Sequence, residues 1–246
     1  MLLPQLEREG LYNSFNFNVD NCVPNYYFAA NSSAIGARVE VFLCPSDGAE
    51  PPAKEWGGTN YVTNFGTEWD SFNVTNGVFH ILSSTSVRDI VDGTCNTAAF
   101  SEHAMGIIGS GNPSHRLAHL RQGLRRSTRS LNQADLELWC ATPNPSDGID
   151  TGNYGTLWAW RHSDYRHVLS PNHRFCTEAR FGVPIVYGGV GFSYQYLNPA
   201  TSFHPNGVNL LLCDGSVRFI KDSISRGVWQ ALGTRAGQET IANTEF

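Results

Sequence analysis

Two strand-like runs, residues 208–213 and 216–220, flank Asp214-Gly215, and this arrangement restricts the fold more than any other feature of the chain. An Asp-Gly pair takes up positive φ readily, so the spacing predicts a β-hairpin closed by a two-residue type I′ turn. Residues 225–232 then read as a short helix that Gly233 can end. Charged residues make up only 16% of the chain while Gly numbers 24 and Pro 12, which favours a turn-rich, sheet-rich protein over a helical bundle. With 246 residues and 41% hydrophobic content there is enough apolar material for one main domain.

The formal net charge of −5 disfavours nucleic acid, whose phosphates are bound by clustered Lys and Arg. Arg121, Arg125, Arg126 and Arg129 would lie close together on a helix, and they read as a solvated face. The longest apolar stretches are strand-length, far below the roughly 20 residues of a membrane span. Met1 is followed directly by an amphipathic segment with neither a basic nor an apolar leader region, so the chain as given reads as soluble. Its six cysteines (Cys22, Cys44, Cys95, Cys140, Cys176 and Cys213) form no C-x-x-C pair. That removes the zinc-ribbon and thioredoxin-like readings and favours an oxidising compartment, with the pairing left open.

Along the chain, Leu2, Leu3, Leu6, Tyr12 and Phe15 recur at helical spacing over residues 2–17, interrupted by Gly10. They predict a helix that packs through Leu3, Leu6 and Tyr12. Residues 34–44 alternate and run into the turn at 45–48, predicting a strand. A further strand is expected at 78–82, a helical turn at 86–91 ended by Asp92-Gly93, and a strand at 97–101. Residues 106–150 read as a variable excursion with a helix over 131–139, and Gly188-Gly189-Val190-Gly191 as a surface loop.

Candidate chemistry is sparse. His204 and Asp214 stand on either side of a strand of about 20 Å, out of each other's reach. His204 reads as the start of a turn with Pro205-Asn206-Gly207 that satisfies local backbone groups, and Asp214 as turn geometry. Four Asp-Gly pairs (Asp47-Gly48, Asp92-Gly93, Asp147-Gly148 and Asp214-Gly215) put carboxylates in loops, where calcium can gather them. Asp214 is the calcium candidate, but no EF-hand or D-x-D-x-D series occurs, and no cofactor is expected. His115/His119 and His162/His167 are the close histidine pairs, without H-E-x-x-H. P-loop, G-x-G-x-x-G and G-x-S-x-G are also missing from the sequence.

The run Phe203-His204-Pro205-Asn206-Gly207-Val208-Asn209, followed by residues 210–213 and Asp214-Gly215-Ser216-Val217-Arg218-Phe219, resembles the prepilin-processing-associated domain named for its His-x9-Asp-Gly motif. Leu3-Pro4-Gln5-Leu6-Glu7, Phe42-Leu43-Cys44-Pro45-Ser46-Asp47, Thr59-Asn60-Tyr61-Val62 and Asp92-Gly93-Thr94-Cys95-Asn96-Thr97 with Phe100-Ser101-Glu102 are similar to the same bacterial prepilin-like family. So are His167-Val168-Leu169-Ser170-Pro171-Asn172 and Ala231-Leu232-Gly233-Thr234-Arg235, in the family's order, so that the resemblance covers nearly the whole chain.

The resemblance implies an α+β fold: a pilin-like head with an N-terminal helix packed on an antiparallel β-sheet and long loops. Residues 1–246 would form one domain, with 1–17 ending the N-terminal helical region and 203–222 forming the motif hairpin. Family members carry a basic leader, a cleavage site before Phe-Thr-Leu-Ile-Glu and a long apolar helix in the inner membrane. This sequence opens at the globular part, so it is expected to be truncated or to have lost that anchor. The implied role is non-enzymatic: an extracytoplasmic head, in periplasm or at the cell surface, acting in assembly or surface contact. Its partners would be other pseudopilin-like subunits or envelope components, with the membrane reached only through the N-terminal helix. Within the resemblance, Cys44 and Cys176 occupy typical cysteine positions, while Cys95 and Cys213 look like incidental buried thiols. A bridge between Cys140 and Cys176, which flank residues 158–171, is expected, with Cys44 as the other partner for Cys176. His204, Asp214 and Gly215 are the motif residues. The rival is a solute- or polysaccharide-binding module using Trp56, Trp69, Trp158, Trp160 and Tyr165 as stacking surface.

Overall fold

The computed structural model describes residues 2–19, 28–48, 57–68, 75–80, 83–105, 123–127, 135, 138–140, 142, 148–150, 158–159, 163–174, 176–185, 189–239 and 241. It is an α+β structure. Helices include α1 (Glu9–Asn13), α2 (Phe28–Ile35) and α3 (Arg226–Gly233), and residues 135 and 138–140 are also helical. The strands are β1 (Tyr61–Asn64), β2 (Ala98–Glu102), β3 (Gly123–Ser127), β4 (Gly148–Asp150), β5 (Asp164–Tyr165), β6 (Cys176–Ile185), β7 (Gly189–Leu197), β8 (Gly207–Leu212) and β9 (Val217–Lys221). They form a five-stranded sheet in the order β5-β1-β2-β8-β9 and a four-stranded sheet in the order β4-β3-β6-β7. The expected antiparallel sheet is mixed: β5 runs parallel to β1, and β3 parallel to β6.

Strand alternation sorts the five-stranded sheet into two faces. Val62, Ala98, Val208, Leu210, Leu212 and Ile220 point inward and, with Tyr165, Ala200, Trp229 and Leu232, form a core in which no residue is more than 1% exposed. Each buried Val, Leu or Ile among them contributes roughly 1.5–3 kcal/mol by leaving water. Helix α3 covers this face with Trp229 and Leu232, and Ser225 caps it by accepting a hydrogen bond from Val228 N (3.4 Å). Its last residue must be Gly, because a Cβ at Gly233 would stand 2.5 Å from the His167 ring.

The hairpin forms where expected, with a different turn. Gly215 N donates to Leu212 O (3.0 Å) and Leu212 N to Ser216 O (2.8 Å), leaving a three-residue loop. Only Gly215 is left-handed (φ 87), because Asp214 Oδ1 accepts from Ser216 N and Oγ and fixes Asp214 in an ordinary turn conformation.

Other expectations need correction. Residues 2–17 do not form one helix: a 3₁₀ turn at Pro4–Leu6 stops at Glu7 (φ 57), and α1 begins again at Glu9. Leu3 and Phe15 pack with Ala34 and Ile35 of α2, flanked by Leu11, Tyr12, Phe42 and Trp158. The 34–44 strand is replaced by the end of α2 and a 3₁₀ turn at Glu40–Phe42, since β1 takes its partners from β2 and β5. Residues 78–80 are irregular, Arg125 and Arg126 lie in strand β3 rather than a helix, and Gly189–Leu197 is a strand rather than a loop. Arg121 and Arg129 fall outside the described residues.

Cys140 and Cys176 are joined by a disulfide with Cα atoms 6.0 Å apart, packed among Trp139, Val168, Leu169 and Leu197. Cys44 is a free, buried thiol; Cys95 is exposed rather than buried, and Cys213 is half-buried. Of the aromatic platform, Tyr165 is fully buried, and Trp158 packs on Phe15 and Phe42 while its Nε1 donates to Ala37 O (2.9 Å). Trp56, Trp69 and Trp160 lie outside the described residues.

Candidate functional site: a thiol, a carboxylate and an imidazole on the outer sheet face

Register fixes the other face of the sheet. Phe100 pairs with Leu211, Tyr61 with Glu102, and Asn209 with Phe219, so these side chains share the outer face. Glu102, at the end of β2, is nevertheless buried. A buried carboxylate needs donors, and it has three: Oε2 accepts from Asn209 N (2.7 Å), and Oε1 accepts from Asn209 Nδ2 (3.0 Å) and His204 Nε2 (3.1 Å).

The loop before β8 positions His204. Ser202 Oγ donates to Gly207 O (2.7 Å) and accepts from His204 N (3.1 Å), and Asn206 turns the chain at φ 62. Asn172 ties this loop to the hairpin, donating to Asp222 Oδ1 (2.8 Å) and accepting from Ser202 N (2.7 Å). The His204 ring therefore does not satisfy a local turn, as its sequence neighbours suggested. It reaches across to Glu102, 102 positions away.

Cys44 arrives from a third segment, and its Sγ stands 3.9 Å from the same His204 Nε2. Asn60 holds it there: Asn60 Oδ1 accepts from Cys44 N (2.9 Å), while Nδ2 donates to Asp47 Oδ2 (2.8 Å) and His103 O (3.0 Å). Asp47 also accepts from Met105 N (2.8 Å), so one Asp-Gly carboxylate is structural cement rather than a calcium ligand. Beside the cluster, burial pushes the Tyr61 phenol up, with Cys44 and Glu102 adding to the shift.

Among the described residues, Cys44, Glu102 and His204 form a group whose ligand atoms all lie within 4.8 Å of one another. Asp214 is not in it. Its carboxyl is exposed at the far end of β8, held below the usual carboxylate range chiefly by the two hydrogen bonds from Ser216. The structure thus separates His204 from Asp214 and Gly215, whose part is to turn the hairpin. Cys44 was visible in the sequence only as a disulfide candidate. Glu102 stands in the sequence only as the end of the family-like segment Phe100-Ser101-Glu102, with no chemistry attached to it.

Two other described histidines, His167 and His103, differ in kind. His167 is fully buried, with Nδ1 donating to Trp229 O (2.6 Å) and Nε2 accepting from Tyr165 Oη (2.9 Å), and burial pushes it down to about 3. His103 donates to Asn198 Oδ1 (2.6 Å) and is likewise lowered by burial. His115, His119 and His162 lie outside the described residues.

Next to the cluster the outer face is apolar. A groove of ≈ 300 Å³ runs between the sheet and the N-terminal segment, bordered by Leu2, Leu6, Val41, Phe42, Leu211 and Val217.

No helix among the described residues is long and apolar enough to cross a membrane. No curated protein and no solved structure matches the chain. A family model does: the family described as "Protein of unknown function (DUF1559)" matches residues 1–227. With that match running from the first residue through the cluster, the hairpin and into α3, the chain belongs to this family of proteins of unknown function.

Proposed function

We propose that the protein is a non-enzymatic, extracytoplasmic head domain of a pseudopilin-like protein, acting in assembly or surface contact. The observation that carries this reading is the apolar groove on the outer sheet face, where Leu2, Val41 and Val217 are each about half exposed or more. Its occupant is an apolar helix of a neighbouring pseudopilin-like subunit, since a helix laid on a sheet buries the ridge that the groove complements. The Cys140–Cys176 disulfide supports an oxidising compartment. The resemblance to prepilin-like proteins supports an inner-membrane anchor in the full-length form.

A non-enzymatic role is supported by the cluster's geometry. In a nucleophile–base–orienter relay the base addresses its two partners through different ring nitrogens. Cys44 and Glu102 both face His204 Nε2.

The test is site-specific photocrosslinking from position 217 in cells that make the protein. An adduct with a pseudopilin-like subunit, lost on Leu211→Glu, is the expected result. No adduct, or one indifferent to Leu211→Glu, would overturn the assignment of this face. The compartment is tested separately: unfolded, unreduced protein from a bacterial periplasm should show at most four reactive thiols of its six cysteines, given one bridge. Six reactive thiols would remove it.

A further inference from the structure

We infer that Cys44, Glu102 and His204 form a binding site for a single zinc ion. The three residues are remote in sequence, with His204 160 positions from Cys44 and 102 from Glu102, yet their side chains converge on one point. The distances fit. Zinc bonds of about 2.0–2.3 Å in a tetrahedron place ligand atoms roughly 3.3–3.6 Å apart. Here Nε2 to Oε1 is 3.1 Å and Sγ to Nε2 is 3.9 Å, and the third pair lies within 4.8 Å, so side-chain movement without a backbone rearrangement seats the ion.

The donor set selects the metal. A thiolate and an imidazole favour zinc over calcium or magnesium, which require oxygen ligands. On binding, Cys44 gives up its thiol proton to solvent, and the His204 ring exchanges its proton through solvent from Nε2 to Nδ1, so that the hydrogen bond to Glu102 is given up and the Nε2 lone pair is free for the ion. A thiolate and a carboxylate then balance the dication.

Each ligand is held by a second residue, as metal ligands are. Asn209 fixes Glu102 through both its backbone and its side-chain nitrogen, Asn60 fixes the Cys44 backbone, and Ser202 the His204 backbone. Cys44 and Glu102 are buried, whereas the His204 side chain is 30% exposed, which gives the ion an entry path and leaves a fourth position for water or a partner's ligand.

Two measurements on the full, disulfide-intact chain test this. Zinc titration against a chromophoric chelator should give one ion per chain. Asn209→Ala should weaken it about 10–100-fold, and Cys44→Ser or His204→Ala more than that. Cys95→Ser/Cys213→Ser, which removes thiols outside the cluster, should leave affinity unchanged. Affinity unaffected by both Cys44→Ser and His204→Ala would overturn the site. Should those variants fail to fold, X-ray absorption on the zinc-loaded wild type decides. One sulfur among nitrogen and oxygen neighbours supports the assignment; no sulfur, or two or more, refutes it. Calcium should not compete.

Discussion

The inner face of the five-stranded sheet lies sealed beneath α3, whereas the outer face keeps Tyr61, Val217 and Phe219 at the surface. A histidine marks each side. Beneath the sheet, His167 has one donor and one acceptor, is packed 3.9 Å from the Trp229 ring, and has no access to solvent. Above it, His204 shares one nitrogen between a carboxylate and a thiol, and its ring is partly open. Both ring nitrogens of the inner histidine are already used in holding the fold, while the outer one stands where a further atom can be bound. The same residue type thus serves packing on one face and recognition on the other, and hydrogen-bond saturation with burial, not residue identity, distinguishes them.

That contrast can be broken most strongly from the inner side. Trp229→Ala removes the largest fully buried side chain among the described residues and the Nε1 bond to Leu169 O (2.8 Å). Chemical denaturation should show a loss of about 3–5 kcal/mol. A loss below about 1 kcal/mol would mean that α3 does not seal the face.

The second effect is on pH dependence. The unfolded chain protonates His167 near its ordinary 6.5, but the folded chain resists until about 3. The unfolded state therefore binds more protons throughout that window, and stability must fall as the pH drops through it, by up to about 1.4 kcal/mol per pH unit from this residue. His103, lowered in the same direction by burial, adds to the slope. His167→Gln should flatten the dependence by about one proton; an unchanged slope would show that the ring is protonated in the fold.

Smaller still is the turn. Gly215→Val forces a β-branched residue to φ 87 and should cost about 1–2 kcal/mol, read as a lower melting temperature. An unchanged melting temperature would contradict the left-handed turn. Smallest is the outer face itself: Val217→Ala should change stability by less than about 0.5 kcal/mol, because that side chain is 64% exposed. A larger loss would place Val217 in a packed interior.

Legibility in the sequence followed the range of the interaction. The hairpin of β8 and β9, the Ser225-capped α3 and the 3₁₀ turn boxed by Ser86 and Asp89 are written in neighbouring residues, and all three are present. The N-terminal helix misled because apolar spacing is blind to the break at Glu7. Residues 34–44 misled because alternation does not reveal whether a partner strand is available. The Cys140–Cys176 bridge was anticipated, but the convergence of Cys44, Glu102 and His204 has no local signature. It exists only once β2 lies against β8, and the His204 and Asp214 spacing pointed along the strand instead of across it.

The pairing of β2 with β8 also governs how the molecule can be made. β2 sits at the middle of its sheet, yet Glu102 and its partner Asn209 are 107 positions apart. Closing so long a loop costs entropy before any contact returns it, so the topology is a slow one to fold. A polypeptide emerging from the ribosome carries β1 and β2 with one edge unpaired and one face uncovered until β8, β9 and α3 follow. Chains interrupted before Gly207 should accordingly be unable to settle, and should be substrates for chaperones and proteases rather than partially active fragments.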